Sequence, residues 1–268
     1  MGIFHLNCGS VKTFFPPYVR AITYCLLVET NRGILLVDTG FGTLDYAAPS
    51  WKMRFFMPLM GLPRDPEETA AHQVVKLGFS TRDVRHIVQT HLHFDHAGGL
   101  RDFPDADVHV YRPELEAALK PRAPLDFAYD PTQWSHGPRW ILHEHPADEW
   151  FGFDCMPVVE DLDPRVLLLP LPGHTRGHCG VAIETAKGWL LQCGDAASPF
   201  HREADLHGLD ASLQQLNFLP DRFARYVMGS HVPRLRQLAS EHGDEVEMIS
   251  AHDIYAFARH TEGAAVDR

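Results

Sequence analysis

The chain has 268 residues, 45% of them hydrophobic and 22% charged, which is enough apolar material for one large domain spanning residues 1–268. Its net charge of −11 at pH 7 argues against a nucleic-acid partner, because phosphate backbones repel an acidic surface. The chain start lacks a signal-peptide pattern, and no apolar run approaches the ~18 residues of a membrane span, so we expect no membrane association. The five cysteines form no Cys-x-x-Cys pair, which favours reduced thiols and a cytoplasmic location.

Alternating and β-branched segments predict three strands early in the chain, at residues 3–11, 21–28 and 34–37. A turn at Asn31-Arg32-Gly33 joins the second and third strands into a hairpin. The hairpin ends at Asp38, for which two interpretations stay open: an ordinary Asx turn or, by the family resemblance given below, a carboxylate that orients a metal ligand. Proline and capping signals then predict a helix over 66–77 and a short helix opened by Ser80.

Two segments are predicted to be lid insertions, near residues 48–65 and 121–153. The first contains the apolar run 51–61, which fits either a hydrophobic lid or pocket wall for an apolar part of a ligand, or a helix buried in the core or in a dimer interface. The second is rich in proline and aromatic residues and is expected to form a long irregular wall over the active site. Its histidines are expected to be surface or lid residues rather than ligands: His136, His143 and His145.

The densest cluster of metal-ligand types is His91-Leu92-His93-Phe94-Asp95-His96, followed by a glycine pair at Gly98 and Gly99. A short apolar strand precedes it and the glycines predict a turn into a helix, so the cluster should lie at the carboxyl end of a strand. In an extended backbone, His91, His93 and Asp95 would point to one side and His96 elsewhere. One loop could then serve two ions about 3.5–4 Å apart. Nitrogen and oxygen ligands without thiolate suit Zn(II), with Fe or Mn as alternatives.

Further ligand types follow predicted strands in the second half of the chain. His174 follows a strand at 166–169 and sits near glycines that let the backbone approach closely. Asp195 and His252 also follow strands, and Asp195 offers a carboxylate able to bridge two ions. His178 is expected to be a core histidine bonded to a carbonyl, and His231 a residue at a helix cap. The remaining strands are predicted at 107–111, 179–184, 189–193 and 246–250. The remaining helices are predicted at 113–120, 208–219, 230–242 and 254–260.

The His-x-His-x-Asp-His pattern at 91–96 resembles the signature of the metallo-β-lactamase superfamily, and with Ala97-Gly98-Gly99 it is most similar to the N-acyl-homoserine lactone lactonase branch. The resemblance covers nearly the whole chain. It implies an α/β fold, a four-layer αββα sandwich in which helices flank two mixed β-sheets. It also implies the ligand sets, residue by residue: His91, His93 and His174 for a first metal, Asp95, His96 and His252 for a second, and Asp195 bridging both.

The same resemblance implies a metal-dependent hydrolase that opens a lactone or related ester by attack of a metal-bridging hydroxide, with Asp95 as the catalytic proton carrier. The substrate would be a small ester or lactone with an apolar portion, and a homodimer is possible. One position departs from the pattern. Lactonases carry a tyrosine three residues after the bridging aspartate, and Ser198 stands there in this chain, so another group assists or the substrate differs.

Two alternatives stay open at this point. A thioester hydrolase of the glyoxalase II type shares the metal motif but would be expected to carry a basic patch for a glutathione carboxylate. The arginines towards the C-terminus are instead dispersed among acidic and apolar residues. A non-catalytic metal-binding protein would bind the ions without turning over any ester.

Overall fold

Two six-stranded β-sheets form the centre of the molecule. A computed structural model describes residues 2–12, 20–62, 65–122, 126–196 and 231–262. The first sheet contains Ile3–Lys12 (β1), Arg20–Thr30 (β2), Gly33–Val37 (β3), Val84–Val88 (β4), Asp107–Tyr111 (β5) and Arg139–His143 (β6), in that order. The second contains Asp148–Trp150 (β7), Phe153–Pro157 (β8), Val166–Pro170 (β9), Cys179–Thr185 (β10), Gly188–Gln192 (β11) and Val246–Ile249 (β12), with neighbours in chain order.

Both sheets are mixed. In the first sheet β1, β2 and β3 are antiparallel neighbours, whereas β3, β4, β5 and β6 run parallel. In the second, β7 to β11 are antiparallel neighbours and β12 joins β11 in parallel. The carboxyl ends of the parallel strands β3 and β4 therefore open at one edge, and those of β11 and β12 open at one edge of the other sheet.

Helices cover the outer faces of both sheets, and the last helix packs at the layer between them. The α-helices are Thr43–Ala47 (α1), Trp51–Leu59 (α2), Ala70–Lys76 (α3), Phe94–Ala97 (α4), Arg112–Leu119 (α5), Val232–His242 (α6) and Ile254–Glu262 (α7). Short 3-10 turns occur at Pro66–Glu68, Thr81–Asp83, Gly98–Asp102 and Pro131–Trp134.

Three apolar layers hold this arrangement together. The layer between the sheets includes Tyr24, Leu26, Leu168 and Val181. The outer face of the first sheet packs Leu27 and Leu36 against α3 and α5, through Val74 and Leu115. The outer face of the second sheet packs Leu169 and Leu191 against α6, through Leu235 and Leu238. Because both faces of each sheet are buried, the central strands read as continuous apolar runs. The predicted four-layer fold with two mixed sheets and flanking helices is confirmed.

The predicted strands are confirmed with shifts of a residue or two, but one predicted helix is interrupted. The segment 66–77 contains a 3-10 turn followed by α3, because Thr69 adopts an extended backbone between them. Its hydroxyl accepts a hydrogen bond from the backbone nitrogen of His72, so Thr69 is the N-cap of a new helix rather than an interior residue. The helix predicted at 208–219 lies outside the described residues.

The prediction of a long irregular segment at 121–153 is wrong for part of its length, where it contributes strands to both sheets. Strand β6 extends the first sheet and β7 extends the second, and Trp140 and Trp150 pack into the two cores. These two tryptophans therefore cover sheet faces, whereas Phe127 is exposed. Only its early part approaches the predicted metal loop, where Tyr129 pairs with His93 and the backbone nitrogen of Phe94 donates to the carbonyl of Ala128.

Among the described residues, no helix combines the length and the apolar character needed to cross a membrane.

Candidate metal centre

The loop after β4 carries four candidate ligands, and its backbone explains how they diverge. His91 and His93 lie in extended chain, and His93 is the N-cap of α4. Asp95 and His96 then lie within α4, whose first bonds run from the nitrogens of His96 and Ala97 to the carbonyl of His93. The expectation of an extended backbone through Asp95 and a helix only after the glycines is therefore wrong. One helical turn, rather than strand alternation, presents Asp95 and His96.

Three loops of the second half bring the other ligands to the same place. His174 follows β9, Asp195 follows β11 and His252 follows β12. The Nε2 atom of His174 lies 3.1 Å from Nδ1 of His93, so ligands of the two sheets meet. Nε2 of His252 lies 3.7 Å from Oδ2 of Asp95.

Asp195 lies at the centre of the cluster. Its Oδ2 is 3.2 Å from Nε2 of His174, 3.3 Å from that of His252 and 3.9 Å from that of His91. Its Oδ1 is 3.6 Å from Nε2 of His96. A single carboxylate thus faces nitrogens from both halves of the chain.

All seven predicted ligands take part in groups whose donor atoms lie close enough together to hold an ion. The groups are His91, His93 and His174; His91, His96 and Asp195; and Asp95, His96 and His252. The groups overlap at His91 and His96, so they form one continuous cluster. His136, His143 and His145 belong to none of them, as expected from the sequence.

Unpaired polar atoms in the cluster test whether it fits a metal. The buried atoms Nε2 of His91, Nε2 of His96 and Oδ1 of Asp195 have no hydrogen-bond partner. Buried polar atoms without partners are rare, because each costs free energy comparable to a lost hydrogen bond. All three face the interior of the cluster and are lone-pair donors, so a cation there would satisfy them together.

The pKa values of the clustered histidines also indicate that the cluster suits a cation. Burial lowers the pKa of His91 and His93 well below the usual range, so both imidazoles stay neutral and able to coordinate. Burial also lowers the pKa of His96, but Asp95 and Asp195 more than offset it and raise the value to about 9. Asp195 and Asp95 likewise raise the pKa of His252 to about 10 against the effect of burial. The carboxylates thus require positive charge at this place, which bound cations would supply.

Residues behind the ligands fix their orientation. Oδ2 of Asp38 accepts a hydrogen bond from Nδ1 of His96 (2.9 Å), and both carboxylate oxygens also accept from Thr90. Nδ1 of His252 donates to the carbonyl of Ile22 (2.7 Å). Each ring is thereby held with its Nε2 lone pair towards the cluster. Of the two interpretations of Asp38, the structure supports the carboxylate that orients a ligand.

Two other histidines, His178 and His231, lie outside the ligand groups. His178 is a buried core histidine as predicted, but its Nε2 accepts a hydrogen bond from the backbone nitrogen of Asp195 (2.9 Å), which ties it to the central carboxylate. His231 is the N-cap of α6, as predicted, and makes no side-chain cap bond. Ser198, which stands where lactonases carry a tyrosine, lies outside the described residues.

Glu114 is a site residue that the sequence did not reveal. It is fully buried in the first turn of α5, yet its carboxyl group bonds to the loops of His91 and His174. A glutamate near the start of a helix is common, and neither its spacing nor its neighbours in sequence distinguish it.

Comparison with known proteins decides the family. The model of the metallo-beta-lactamase superfamily matches residues 19–249. The chain belongs to this superfamily. Membership supports hydrolase activity with divalent metal ions, and the groups in the cluster described above could hold such ions.

Relatives in the superfamily include proteins of two descriptions. A probable metallo-hydrolase of Mycobacterium tuberculosis is 36% identical over 97% of this chain and 83% of its own length. An N-acyl homoserine lactonase from a Bacillus species is 31% identical over 78% of this chain and 79% of its own length.

Solved structures show the same fold. An N-acyl homoserine lactone hydrolase with N-hexanoyl-L-homoserine at its catalytic metal centre matches with a TM-score of 0.65 and 23% identity, over 95% of this chain and 94% of the other. A dizinc quorum-quenching lactonase matches with a TM-score of 0.55 and 19% identity, over 89% of this chain and 74% of the other.

Proposed function

We propose that the chain is a dinuclear metal-dependent hydrolase that opens the ring of a lactone, with N-acyl-homoserine lactones as the substrate class. The observation that carries the proposal is the central position of Asp195, whose carboxylate lies close to histidines of both sets: Oδ2 is near His91 and His174 of the first set and near His252 of the second, and Oδ1 is near His96 of the second. A carboxylate placed between two ligand groups can bridge two ions, the arrangement used for hydrolysis by paired metals.

In this proposal the ions would be held by the seven residues in the sets already given. His91, His93 and His174 would hold one, Asp95, His96 and His252 would hold the other, and Asp195 would serve both. Zn(II) is the first choice because all donors are nitrogen or oxygen, with Fe or Mn as alternatives. The ions would supply an acidified water and a Lewis acid for the substrate carbonyl.

The chain's own residues then orient the ligands and move the proton. Asp38 keeps the proton of His96 on Nδ1, so that Nε2 stays a donor to the ion. Asp95 is the proposed proton carrier: its side chain is partly exposed, and its Oδ2 lies at the edge of the cluster, 3.7 Å from His252. From there Oδ2 would take up the proton released by the attacking water and deliver it to the oxygen that leaves when the ring opens.

An apolar wall beside the metal loop supports a substrate with an acyl chain. Phe56 of α2 stacks on Phe94, which lies between the ligands His93 and Asp95 in the chain, with ring centroids 5.3 Å apart. Phe127 packs against the same ring of Phe56 at 5.7 Å. Flat apolar rings next to a polar centre suit a molecule with a polar head and an aliphatic tail.

The two interpretations of the run 51–61 both find support in α2. Met53 and Met57 are buried in the core, as expected of a core helix, whereas Trp51 and Phe55 are exposed and available to a substrate tail or a second subunit. A homodimer, a single domain over residues 1–268 and lids at the two predicted segments stay part of the proposal. The five buried, unpaired cysteines support a cytoplasmic location.

The test combines metal analysis with a substrate panel. Purified protein should contain two divalent ions per chain and hydrolyse acyl-homoserine lactones, while His174→Ala should lose an ion and the activity. His145→Ala is the matched control, because His145 is exposed and belongs to no ligand group. The panel includes simple γ- and δ-lactones, S-lactoylglutathione and a chromogenic cephalosporin. Cleavage of the thioester alone would replace the lactone assignment with a glyoxalase II-like one, and metal without turnover would indicate a non-catalytic protein.

A further inference from the structure

Glu114 connects the two loops that carry the ligands of the first metal group. Its Oε1 accepts hydrogen bonds from the backbone nitrogen of Leu92 (2.8 Å) and the hydroxyl of Tyr129 (3.0 Å). Its Oε2 accepts from the hydroxyl of Thr175 (2.5 Å) and the backbone nitrogen of Gly177 (3.2 Å). The carboxyl group has about four lone-pair positions, and four donors fill them.

Each carboxylate oxygen of Glu114 bonds to a different ligand-bearing loop. Leu92 lies between His91 and His93 in the chain, so Oε1 holds the loop after β4. Thr175 follows His174 directly, so Oε2 holds the loop after β9. One side chain on α5 therefore links two ligand-bearing loops that belong to different sheets.

From this geometry we propose that Glu114 is a positioning residue, which sets the spacing between His91 and His93 on one loop and His174 on the other and thereby sets the affinity of the first metal group. The proposal rests on the proposed function, because it assigns a role towards the ions that these histidines would hold. Glu114 itself belongs to none of the ligand groups, and both its oxygens are directed at backbone and hydroxyl donors.

Close packing at Gly177 is independent evidence for the same role. A Cβ atom on Gly177 would lie 2.0 Å from the backbone nitrogen of Glu114 and 2.5 Å from its Cα. The loop of His174 thus rests directly on the start of α5, with no room for a side chain between them. Glycine at this position allows the approach that brings Thr175 and Gly177 within hydrogen-bond distance of the carboxyl group.

Tyr129 extends the contact to a ligand ring. Its hydroxyl donates to Glu114, and its ring packs edge-on against the imidazole of His93, with centroids 5.1 Å apart. Glu114 therefore acts on His93 in two ways, through the backbone at Leu92 and through the ring of Tyr129.

The distance between the ring nitrogens of His93 and His174 is short enough for both to bind one ion. Nδ1 of His93 and Nε2 of His174 are 3.1 Å apart. Two nitrogens bound to one zinc at about 2.0–2.1 Å in tetrahedral geometry lie roughly 3.3 Å apart, close to this separation. Outer residues that hold ligands in such positions typically change metal affinity 10–100-fold when they are replaced.

The deciding variant is Glu114→Gln, which keeps the size of the side chain and removes one acceptor. An amide has one acceptor oxygen and one donor nitrogen. The nitrogens of Leu92 and Gly177 can only donate, and they bond to different oxygens, so no orientation of the amide serves both. One loop must lose its contact. Glu116→Gln is the matched control, because Glu116 is exposed two residues further along the same helix.

Metal affinity is the main readout, measured by competition with a chromophoric chelator and by the visible spectrum of the cobalt-loaded protein. For Glu114→Gln we expect one of two ions to bind about 10–100-fold more weakly, with an altered cobalt spectrum. Glu116→Gln should match the wild type in both. Thr175→Val removes only one bond to Oε2, so it should weaken the same ion by a smaller factor, and its effect should not add to that of Glu114→Gln.

The results distinguish failure of the positioning role of Glu114 from failure of the proposed function. If Glu114→Gln is less stable in urea but binds both ions with wild-type affinity and spectrum, Glu114 is merely structural and the positioning role is wrong, while the proposed function stands. If Glu114→Gln does not fold, Thr175→Val decides: unchanged affinity refutes the role. If the wild-type chain binds no divalent ion, both proposals fail.

Discussion

A row of three histidines on parallel strands predicts how stability responds to acid. Nε2 of His109 on β5 lies 3.0 Å from Nδ1 of His86 on β4, and its Nδ1 lies 3.1 Å from Nε2 of His143 on β6. Burial, with the nearby His143 and His86, lowers the pKa of His109 to about 3. In the unfolded chain the value is about 6.5. The folded state therefore binds fewer protons than the unfolded state between these values, and stability must fall as the pH falls below 6.5.

The expected magnitude follows from this difference. Between pH 7.5 and pH 5 the unfolded chain gains nearly a full proton at His109 and the folded chain gains almost none, which costs about 2 kcal/mol of unfolding free energy. In His109→Gln this loss should disappear, because the amide offers one donor and one acceptor, as a neutral imidazole does, but does not titrate. The variant should therefore show a flatter dependence of stability on pH, whatever its stability at pH 7.5.

Urea unfolding of metal-free protein, followed by circular dichroism at half-unit steps from pH 5 to 7.5, measures the effect. Burial also lowers the pKa values of His86 and His143, the two neighbours in the row, and of the more distant His5 (about 4) and His178 (about 3). All four are present in both proteins, so the difference in slope reports the substitution at position 109. His145→Gln is the control, since that side chain is exposed. A slope for His109→Gln as steep as that of the wild type would refute the assignment of a neutral, acid-sensitive His109.

Three further predictions concern the metal centre and its support. Removal of bound metal by a chelator should lower the midpoint of thermal unfolding, and zinc at about 100 times its Kd should restore roughly 2.7 kcal/mol; an unchanged midpoint would contradict metal binding by the folded chain. Asp38→Asn should weaken metal binding about 10–100-fold in chelator competition, because the amide cannot accept from both His96 and the backbone of Thr90, and wild-type affinity would contradict this. Gly177→Ala should cost about 1–3 kcal/mol in urea unfolding, because its Cβ would collide with the backbone of Glu114; a loss within error would show that the loop can move away.

The sequence predicts those parts of the site that depend on local order. His91, His93, Asp95 and His96 lie within six residues, so their proximity needs no knowledge of the fold. Asp195 and His252 follow apolar strands directly, and the ends of neighbouring parallel strands meet at one edge of a sheet. The layers follow as well, because apolar runs buried on both faces require cover on both sides.

Other features depend on contacts between distant segments and could not be predicted. The role of Glu114 arises only when α5 packs against the loops of Leu92 and Thr175, and its own sequence context is that of an ordinary helix start. The strands β6 and β7 were hidden by proline and aromatic composition, which also suits an irregular loop. The helical turn at Asp95 could not be predicted because adjacent side chains such as Asp95 and His96 point in different directions in a strand and in a helix alike.

The order of the ligands along the chain has a consequence for biosynthesis. The first ligand group requires His174 in addition to His91 and His93, and the second requires His252, which belongs to one of the last described segments. A ribosome-bound chain that ends before β12 therefore cannot present the complete second group. If the proposed second ion is bound by Asp95, His96 and His252, it can be held only after β12 has been translated, so this ion would join segments that are distant in the chain rather than nucleate their folding.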